Sequence, residues 1–538
     1  MNTLVDERPR ARRIPWRSLL MLAGCALIIW LVHPPVLSWI LRLAAERVAS
    51  QAGLQLEVGE IRAHLSQPIV FERVRVRATN ADESQTAVDA ARVELALVPL
   101  WSILFDESRV FRSVILQDVR AVLDLRRGDN RQRILVRQAN EREQRSQRQR
   151  MLRYLPEYVA VQRANLEFLA TGQSYFFEDV SADFSEERLG EFRAVGAELR
   201  AGPVNQSLGS LKGITAWKDG TIYFASVDLW EGVKLDSLEV QLAQPGGVAV
   251  GVQATLFGGS LRFDVSLNSE QGRMAVNSAV SASNIEIVPL AALLGYHGDL
   301  EGVIRDVKFT FRGLPERALD GQGSLRLAAD GFRLNKRGWE SLELGARMIH
   351  RRVAVSELVL KQKENTLAGS GEFSLDQGWL GMAKAPFLLH LTASINDLGA
   401  LAGLFGSPFD EMSGRMSLSG SINGQASKLG GFLTLEGSQM GFRKRPVDSG
   451  RVEVSFAGSE AQVTQCEFWS GEDFVRAKGN LEINAPHTYW GEIQARTKDF
   501  SAYRDFFKGL RTPEVRAGAV QIRWQGDGNA SAHSGAFN

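Results

Sequence analysis

From residue 54 onward, apolar positions alternate with polar ones: Leu54, Leu56 and Val58, then Val74 and Val76, then Val93, Leu95 and Leu97. A period of two predicts β-strands with one face dry and the other wet. The alternation is cleanest from Val248 to Leu267. Val248, Val250, Val252, Ala254 and Leu256 share one side, Gly258-Gly259 predicts a reversing turn, and Leu261, Phe263, Val265 and Leu267 supply the apolar side of the returning strand. Gln253, Arg262, Asp264 and Ser266 fall on the opposite side. Such a sheet can bury its dry face against a second sheet as a sandwich, or curl into a trough whose apolar face stays open. Alternation alone does not separate the two.

Before residue 54 the period is helical. Leu37, Ile40, Leu41, Ala44, Val48 and Ala52 recur at three- and four-residue spacings, with Pro34 and Pro35 at the start and Gly53 at the end. The pattern predicts an amphipathic helix that either lies on a membrane or packs on the first strands. Immediately upstream, no Asp, Glu, Lys or Arg occurs from Ser18 to Leu41, and Leu19 to Val32 is an unbroken apolar run. Residues 18–41 are expected to form a transmembrane anchor running into the amphipathic helix that ends at 53. Arg8, Arg10, Arg12, Arg13 and Arg17 make residues 1–17 a basic cytoplasmic tail and place the remainder across the membrane. The competing reading is a cleaved signal peptide.

The chain also repeats itself. NIEIVPLAALLG (Asn284–Gly295) is echoed by INDLGALAGLFG (Ile395–Gly406) and KDFSAYRDFFKG (Lys498–Gly509), each predicting a short helix closed by Gly. LEGVIRDVKFTFRG from Leu300, MSGRMSLSG from Met412 and VRAGAVQIRWQG from Val515 follow in the same order. GSLRLAADGFR (from Gly323) then matches GFLTLEGSQMGFR (from Gly431), and LAGSGEFSL (from Leu367) matches VRAKGNLEI (from Val475), with LFGGSLRF (from Leu256) as an earlier copy. The repeat is about 105–112 residues of short strands with one short helix. The closing HSGAFN falls where Gly431-Phe432 opens a strand in the previous copy, so the last repeat is expected to be incomplete, which leaves either a truncated chain or an open sheet edge for a partner to cover. The expected organisation is an N-terminal β block over 54–125, an Arg-rich helix or linker over 126–160, and repeats over 161–538.

Composition agrees with an all-β reading: 51 Gly against 16 Pro in 538 residues suits many strands and tight turns. With 63 Lys+Arg against 62 Asp+Glu, the chain has no whole-length attraction for polyanions, and no nucleic-acid partner is expected. Cys25 and Cys466 cannot form a disulfide framework or a four-cysteine metal site. The seven His are scattered, and no metalloprotease, phosphate-loop, dinucleotide or nucleophile-elbow motif occurs. No catalytic, cofactor or metal site is legible, and the expectation is a protein that is not an enzyme. Residues 126–153 are rich in Arg, with Arg131, Arg133, Arg137, Arg142, Arg145 and Arg148 among them. They read as a solvated helix or linker, or as a site for anionic head groups.

The signal anchor, the helix LRLAAERVASQAG, the stretch LEVGEIRAHLSQPIVFERVRVRA, and RVELALVPLWSILFDESRVFRSVILQDVRAVLDL (Arg92–Leu125) together resemble the N-terminal region of the AsmA-like family of bacterial envelope proteins, which includes TamB. Pro99–Phe105 is the short apolar helix of that pattern, and the Gly-rich repeats from about residue 205 resemble the family's C-terminal region. The resemblance implies a mainly β fold: an elongated, curled antiparallel sheet forming a repeating β-groove, behind one N-terminal transmembrane helix. It implies a protein of the bacterial inner membrane, single-pass with its bulk periplasmic, that conducts phospholipid acyl chains between inner and outer membrane. Groove-lining candidates are Val248, Val250, Val252, Leu256, Leu261, Phe263, Val265, Leu267, Leu325, Leu327, Phe373 and Leu375. Expected partners are phospholipids, the inner membrane, and an outer-membrane protein, periplasmic protein or second copy at the C-terminal sheet edge. The alternative is a scaffold or outer-membrane assembly factor acting through strand addition.

Overall fold

The computed structural model describes residues 35–124 and 155–538 with interruptions, the longest at 79–86, 99–109, 377–384, 402–410 and 504–517. Most of the expected anchor, the Pro99–Phe105 helix and the Arg-rich stretch, including Arg131, Arg133, Arg137, Arg142, Arg145 and Arg148, lie outside the described residues. Among the described residues no helix is long and apolar enough to cross a membrane. Strands dominate, and the chain divides into two compact units within one of them, Val233–Gln244.

The first unit opens with a helix, α1, over residues 35–47. Eleven strands follow: β1 (Leu54–Arg62), β2 (Ile69–Ala78), β3 (Ala87–Leu97), β4 (Phe111–Asp124), β5 (Tyr158–Ala170), β6 (Gln173–Ser185), β7 (Gly190–Ala194), β8 (Gly196–Ala201), β9 (Val204–Leu208), β10 (Leu211–Lys218) and β11 (Thr221–Trp230). The strands β1 to β4 form an antiparallel meander. β4 and β5 then pair in parallel, with Val119 opposite Ala164. This departs from the purely antiparallel expectation. A parallel pair needs a crossover of a dozen or more residues, and the Arg-rich stretch supplies that length. The strands on either side of it belong to one unit. The sheet branches at β6, whose first half pairs with β8 and whose second half pairs with β7. From there β8 leads to β9, and β7 leads through β10 to β11.

α1 is held by both of its chemistries. Leu37 and Leu41 pack against a core of Ile61, Ala63, Ile69 and Phe71, while the Arg42 guanidinium donates to the carbonyls of Val58 and Gly59 at 3.3 and 3.1 Å. Of the two placements left open by the sequence, packing on the first strands is observed. Trp39 and Ile40 remain exposed on its outer side.

After β12 (Val233–Gln244), the second unit runs from Gly247 onward as an uninterrupted meander. Its strands are β13 (Gly247–Leu256), β14 (Gly259–Glu270), β15 (Arg273–Glu286), β16 (Leu300–Gly313), β17 (Gln322–Leu334), β18 (Arg337–Gly338), β19 (Ser341–Ile349), β20 (Arg352–Gln362), β21 (Asn365–Ser374), β22 (Phe387–Ile395), β23 (Met412–Gln425), β24 (Lys428–Phe442), β25 (Arg445–Gly458), β26 (Glu460–Ser470), β27 (Asp473–Glu482), β28 (Tyr489–Thr497), β29 (Val520–Gly528) and β30 (His533–Phe537). The helix α2 (Ile287–Leu293) joins β15 to β16 and buries Ile287 and Ala291. A single 3-10 turn, Gly399–Leu401, stands at the same place between β22 and β23.

The repeat is visible in the backbone itself. Gly302, Gly414 and Gly518 open equivalent strands and all have positive φ, at 128°, 105° and 130°. At Gly302 and Gly414 the ladder slips by a residue, so each is a β-bulge, where a left-handed backbone favours glycine. The carbonyls of Gly414 and Gly518 accept the N–H of Leu398 and Phe500 respectively, both at 3.0 Å. HSGAF forms β30 against β29, in the position of β17 and β24 in the earlier copies.

Candidate functional site: the apolar face of the second unit

In the hairpin β13–β14, Val248 lies opposite Leu267, Val250 opposite Val265, Val252 opposite Phe263 and Ala254 opposite Leu261. Directly opposed residues of an antiparallel pair share a face, so the two apolar rows form one surface. The turn itself is Phe257-Gly258, both with positive φ (47° and 82°), and Gly259 begins the returning strand. The sequence placed the turn one residue later. The primed turn needs left-handed backbone at both central positions, and Phe257 adopts it because the opposed apolar rows determine the register.

The same face continues strand by strand. Phe263 is opposite Val280, Val280 opposite Phe309, Phe309 opposite Leu325 and Leu325 opposite Ala346. Leu327 is opposite Leu344, which in turn faces Leu358. Phe373 stands between Val353 and Phe387, and further on Leu433 meets Val454, Phe468 meets Val475, and Ile493 meets Trp524. An apolar row therefore crosses the successive ladders from β13 to β29, the two-residue β18 aside. The other face carries side-chain ion pairs such as Arg262–Asp264 (2.8 Å) and Arg451–Glu436 (2.9 Å). On this face Glu492 is held well below the usual carboxylate range, chiefly by hydrogen bonds from Lys478 and Gln494, and Arg523 adds two contacts at 2.9 and 2.8 Å.

A second layer would bury the apolar row, and the exposures show that most of it has none. Among the described residues, Leu375 is the one large apolar side chain below 2% exposure, whereas Phe309, Phe468, Val475, Leu481 and Ile493 range from 36% to 45%. The candidates Val248, Val250, Val252, Leu256, Leu261, Phe263, Val265, Leu267, Leu325, Leu327 and Phe373 are all half-buried. Leu375 differs: it lies just past the end of β21 at 0% exposure and has no surface to offer a ligand.

Glycine explains why the sheet curls toward this face. A Cβ on Gly371, Gly420 or Gly479 would lie 2.3, 2.3 and 2.2 Å from the carbonyl oxygens of Leu388, Phe432 and Trp490 on the neighbouring strand. The next backbone thus rises on the apolar side, which only a residue without a side chain permits. Where Gly369 and Gly371 leave room beside Leu358 and Phe373, a depression of about 230 Å³ opens in the face. Cys466 stands in the same row, opposite Val452, and burial pushes its thiol up, so it behaves as a small apolar residue.

The ends of the strands are locked by polar corners that sequence reading missed. Asn365, 2% exposed, accepts the N–H groups of Asn396 (2.9 Å) and Asp397 (3.0 Å) and donates to the Asp397 carbonyl (2.9 Å). The signal was available: both Asn365 and Asp473 stand two residues before the matched segments at Leu367 and Val475. Among the described residues no group of His, Cys, Asp and Glu could hold a metal ion. No family model matches the chain, and comparison with curated proteins and with solved structures finds no match either.

Proposed function

We propose that the protein is an inner-membrane-anchored, periplasmic conductor of phospholipids, shielding acyl chains on the apolar face of the second unit as they move between inner and outer membrane. The observation that carries this reading is the apolar row that runs from β13 to β29, half-buried over most of its length. Each methylene kept from water is worth about 0.8 kcal/mol, so an acyl chain gains from continuous apolar contact, and a single gap exposes it. Head groups remain in water along the open side. The charge-free segment before α1 and the resemblance to AsmA-like proteins support the placement in the envelope.

A second reading, a scaffold that recruits a partner by strand addition, has one observation in its favour. All five residues of β30 are exposed, including Phe537 at 74%, and among the described strands β30 pairs with β29 alone. The two readings separate on lipid content. The full chain, extracted gently from membranes and purified, should carry phospholipid detectable by mass spectrometry in at least stoichiometric amount. A preparation without lipid would overturn the conductor and leave the scaffold.

A further inference from the structure

The internal repeat supplies a control for each of its own corners, and two successive corners differ. In the corner closing β22, Ile395, Leu398 and Leu401 are buried, and Trp339, Met416 and Leu418 pack against them. The register maps this cluster onto the corner closing β28. Ile395 faces Met416 and Ala393 faces Leu418 in the first; Thr497 faces Val520 and Ala495 faces Ile522 in the second. Leu398 corresponds to Phe500, donating to the carbonyls of the positive-φ glycines Gly414 and Gly518 respectively. Trp339, whose N–H bonds to the Phe332 carbonyl, corresponds to Arg445, which stands opposite Phe442. At the later corner, Trp, Ile and Met are thus replaced by Arg, Thr and Val. Where the earlier corner buries Ile395, Leu398 and Leu401, the later one holds a cavity of about 360 Å³.

We infer that this cavity is a binding site for one acyl chain carrying an anionic group. Its wall is apolar, with Phe468, Val475 and Ile522 from the sheet and Phe500 and Tyr503 from the short segment crossing above it. Its volume is at the small end of the range of ligand pockets, about 300–1,000 Å³. Arg445 and Arg496 line it together with Asp473, whose carboxylate is already engaged by the Lys498 N–H (2.7 Å), the Tyr503 hydroxyl (2.8 Å) and the Thr497 hydroxyl (3.0 Å). The Arg445 guanidinium is the cationic partner for a carboxylate or phosphate head, whereas Arg496 alternates with Ala495 and Thr497 and so projects from the opposite face of the sheet. The inference rests on the conductor reading and sharpens it: the open face passes chains along, and this corner holds one.

Both a free fatty acid and an anionic phospholipid present this chemistry, so two probes distinguish the source. The full chain is reconstituted in nanodiscs, photolabelled with a diazirine-bearing palmitate or a diazirine-bearing phosphatidylglycerol, and the crosslinks are mapped by mass spectrometry. Labelling is expected on peptides containing Phe500, Tyr503 and Val520, and the stronger probe identifies the source. The double variant Arg445→Trp with Val520→Met installs the side chains of the earlier corner; it should cut labelling there at least tenfold and leave labelling of β13 and β14 unchanged. Because it fills space, its unfolding midpoint should not fall. Arg445→Gln keeps the cavity and should weaken the anionic probes but not diazirine-bearing phosphatidylcholine. Labelling of β13 and β14 without this corner, or corner labelling indifferent to the filled variant, overturns the corner site and spares the conductor. Absence of labelling anywhere overturns both.

Discussion

Asn365 and Asp473, the first residues of β21 and β27, hold successive corners of the second unit in the same way: the side-chain oxygen of each accepts a backbone N–H, from Asn396 at 2.9 Å and from Lys498 at 2.7 Å. The sheet turns at these points, where backbone donors leave the ladder and need another acceptor. A short polar side chain at the strand start supplies it.

Asn365→Ala should therefore cost about 1–3 kcal/mol, because two N–H groups and the Asp397 carbonyl lose their partner in a buried site. Asp473→Asn keeps an acceptor for the Lys498 N–H and should cost less than Asn365→Ala. Urea denaturation of the two variants beside the parent checks the order, and equal losses would contradict it.

Asp473 also titrates. Burial pushes its carboxyl up, but hydrogen bonds from the Lys498 N–H and the Tyr503 and Thr497 hydroxyls outweigh this and hold it below the ordinary value of 3.8. The unfolded chain then binds the proton more readily than the folded one. The stability that the corner contributes is complete above the ordinary aspartate value and is lost as pH falls through the depressed folded value. Denaturation midpoints measured from pH 5 down to pH 3 should fall more steeply for the parent than for Asp473→Asn; parallel curves would remove Asp473 from the acid response.

Bulge glycines should be the least replaceable of the repeat markers. At Gly414, with φ 105°, a Cβ would lie 2.4 Å from the Gln439 carbonyl and 2.5 Å from the Met440 Cα. At Gly471, with φ 60°, nothing stands within 4 Å. Both alanine variants meet the left-handed penalty, but Gly414→Ala adds a backbone collision and should be worse by at least about 1–2 kcal/mol. Thermal melts of the pair decide it.

The faces of the strands were legible because residues two apart share a side: Val250, Val252, Phe263 and Val265 lie on one surface, as their alternation requires. The repeat was legible because Gly302, Gly414 and Gly518 hold positive-φ positions that other residues fill poorly. What alternation does not encode is what stands above a face. Leu327 and Leu375 read alike in sequence, yet one is half-buried on the sheet and the other is sealed past a strand end. Nor does it encode which strands meet across a long connection, so the parallel pairing of Val119 with Ala164 emerges only from the structure. The cavity beside Phe500 lies where Arg445, Thr497 and Val520 take the places of Trp339, Ile395 and Met416, positions far apart in sequence that only the register brings together.

Charge placed on the open face is the most direct test of function. Val252 and Phe263 are half-buried and face each other on neighbouring strands. In Val252→Asp and Phe263→Arg the added charge reaches water along the open side, so each should unfold within about 1–2 kcal/mol of the parent. An acyl chain lying there would meet bare charge, at a cost of several kcal/mol, and co-purifying phospholipid should fall several-fold. Leu375→Asp provides the scale for a sealed position: at 0% exposure its charge cannot escape, and it should abolish folding of the second unit. Two measurements, the unfolding midpoint and lipid per chain, then separate the architectures. If Val252→Asp is as damaging as Leu375→Asp, the face is covered and the trough is wrong. If Val252→Asp and Phe263→Arg fold normally and keep the parent's lipid, the trough is right but the lipid path lies elsewhere.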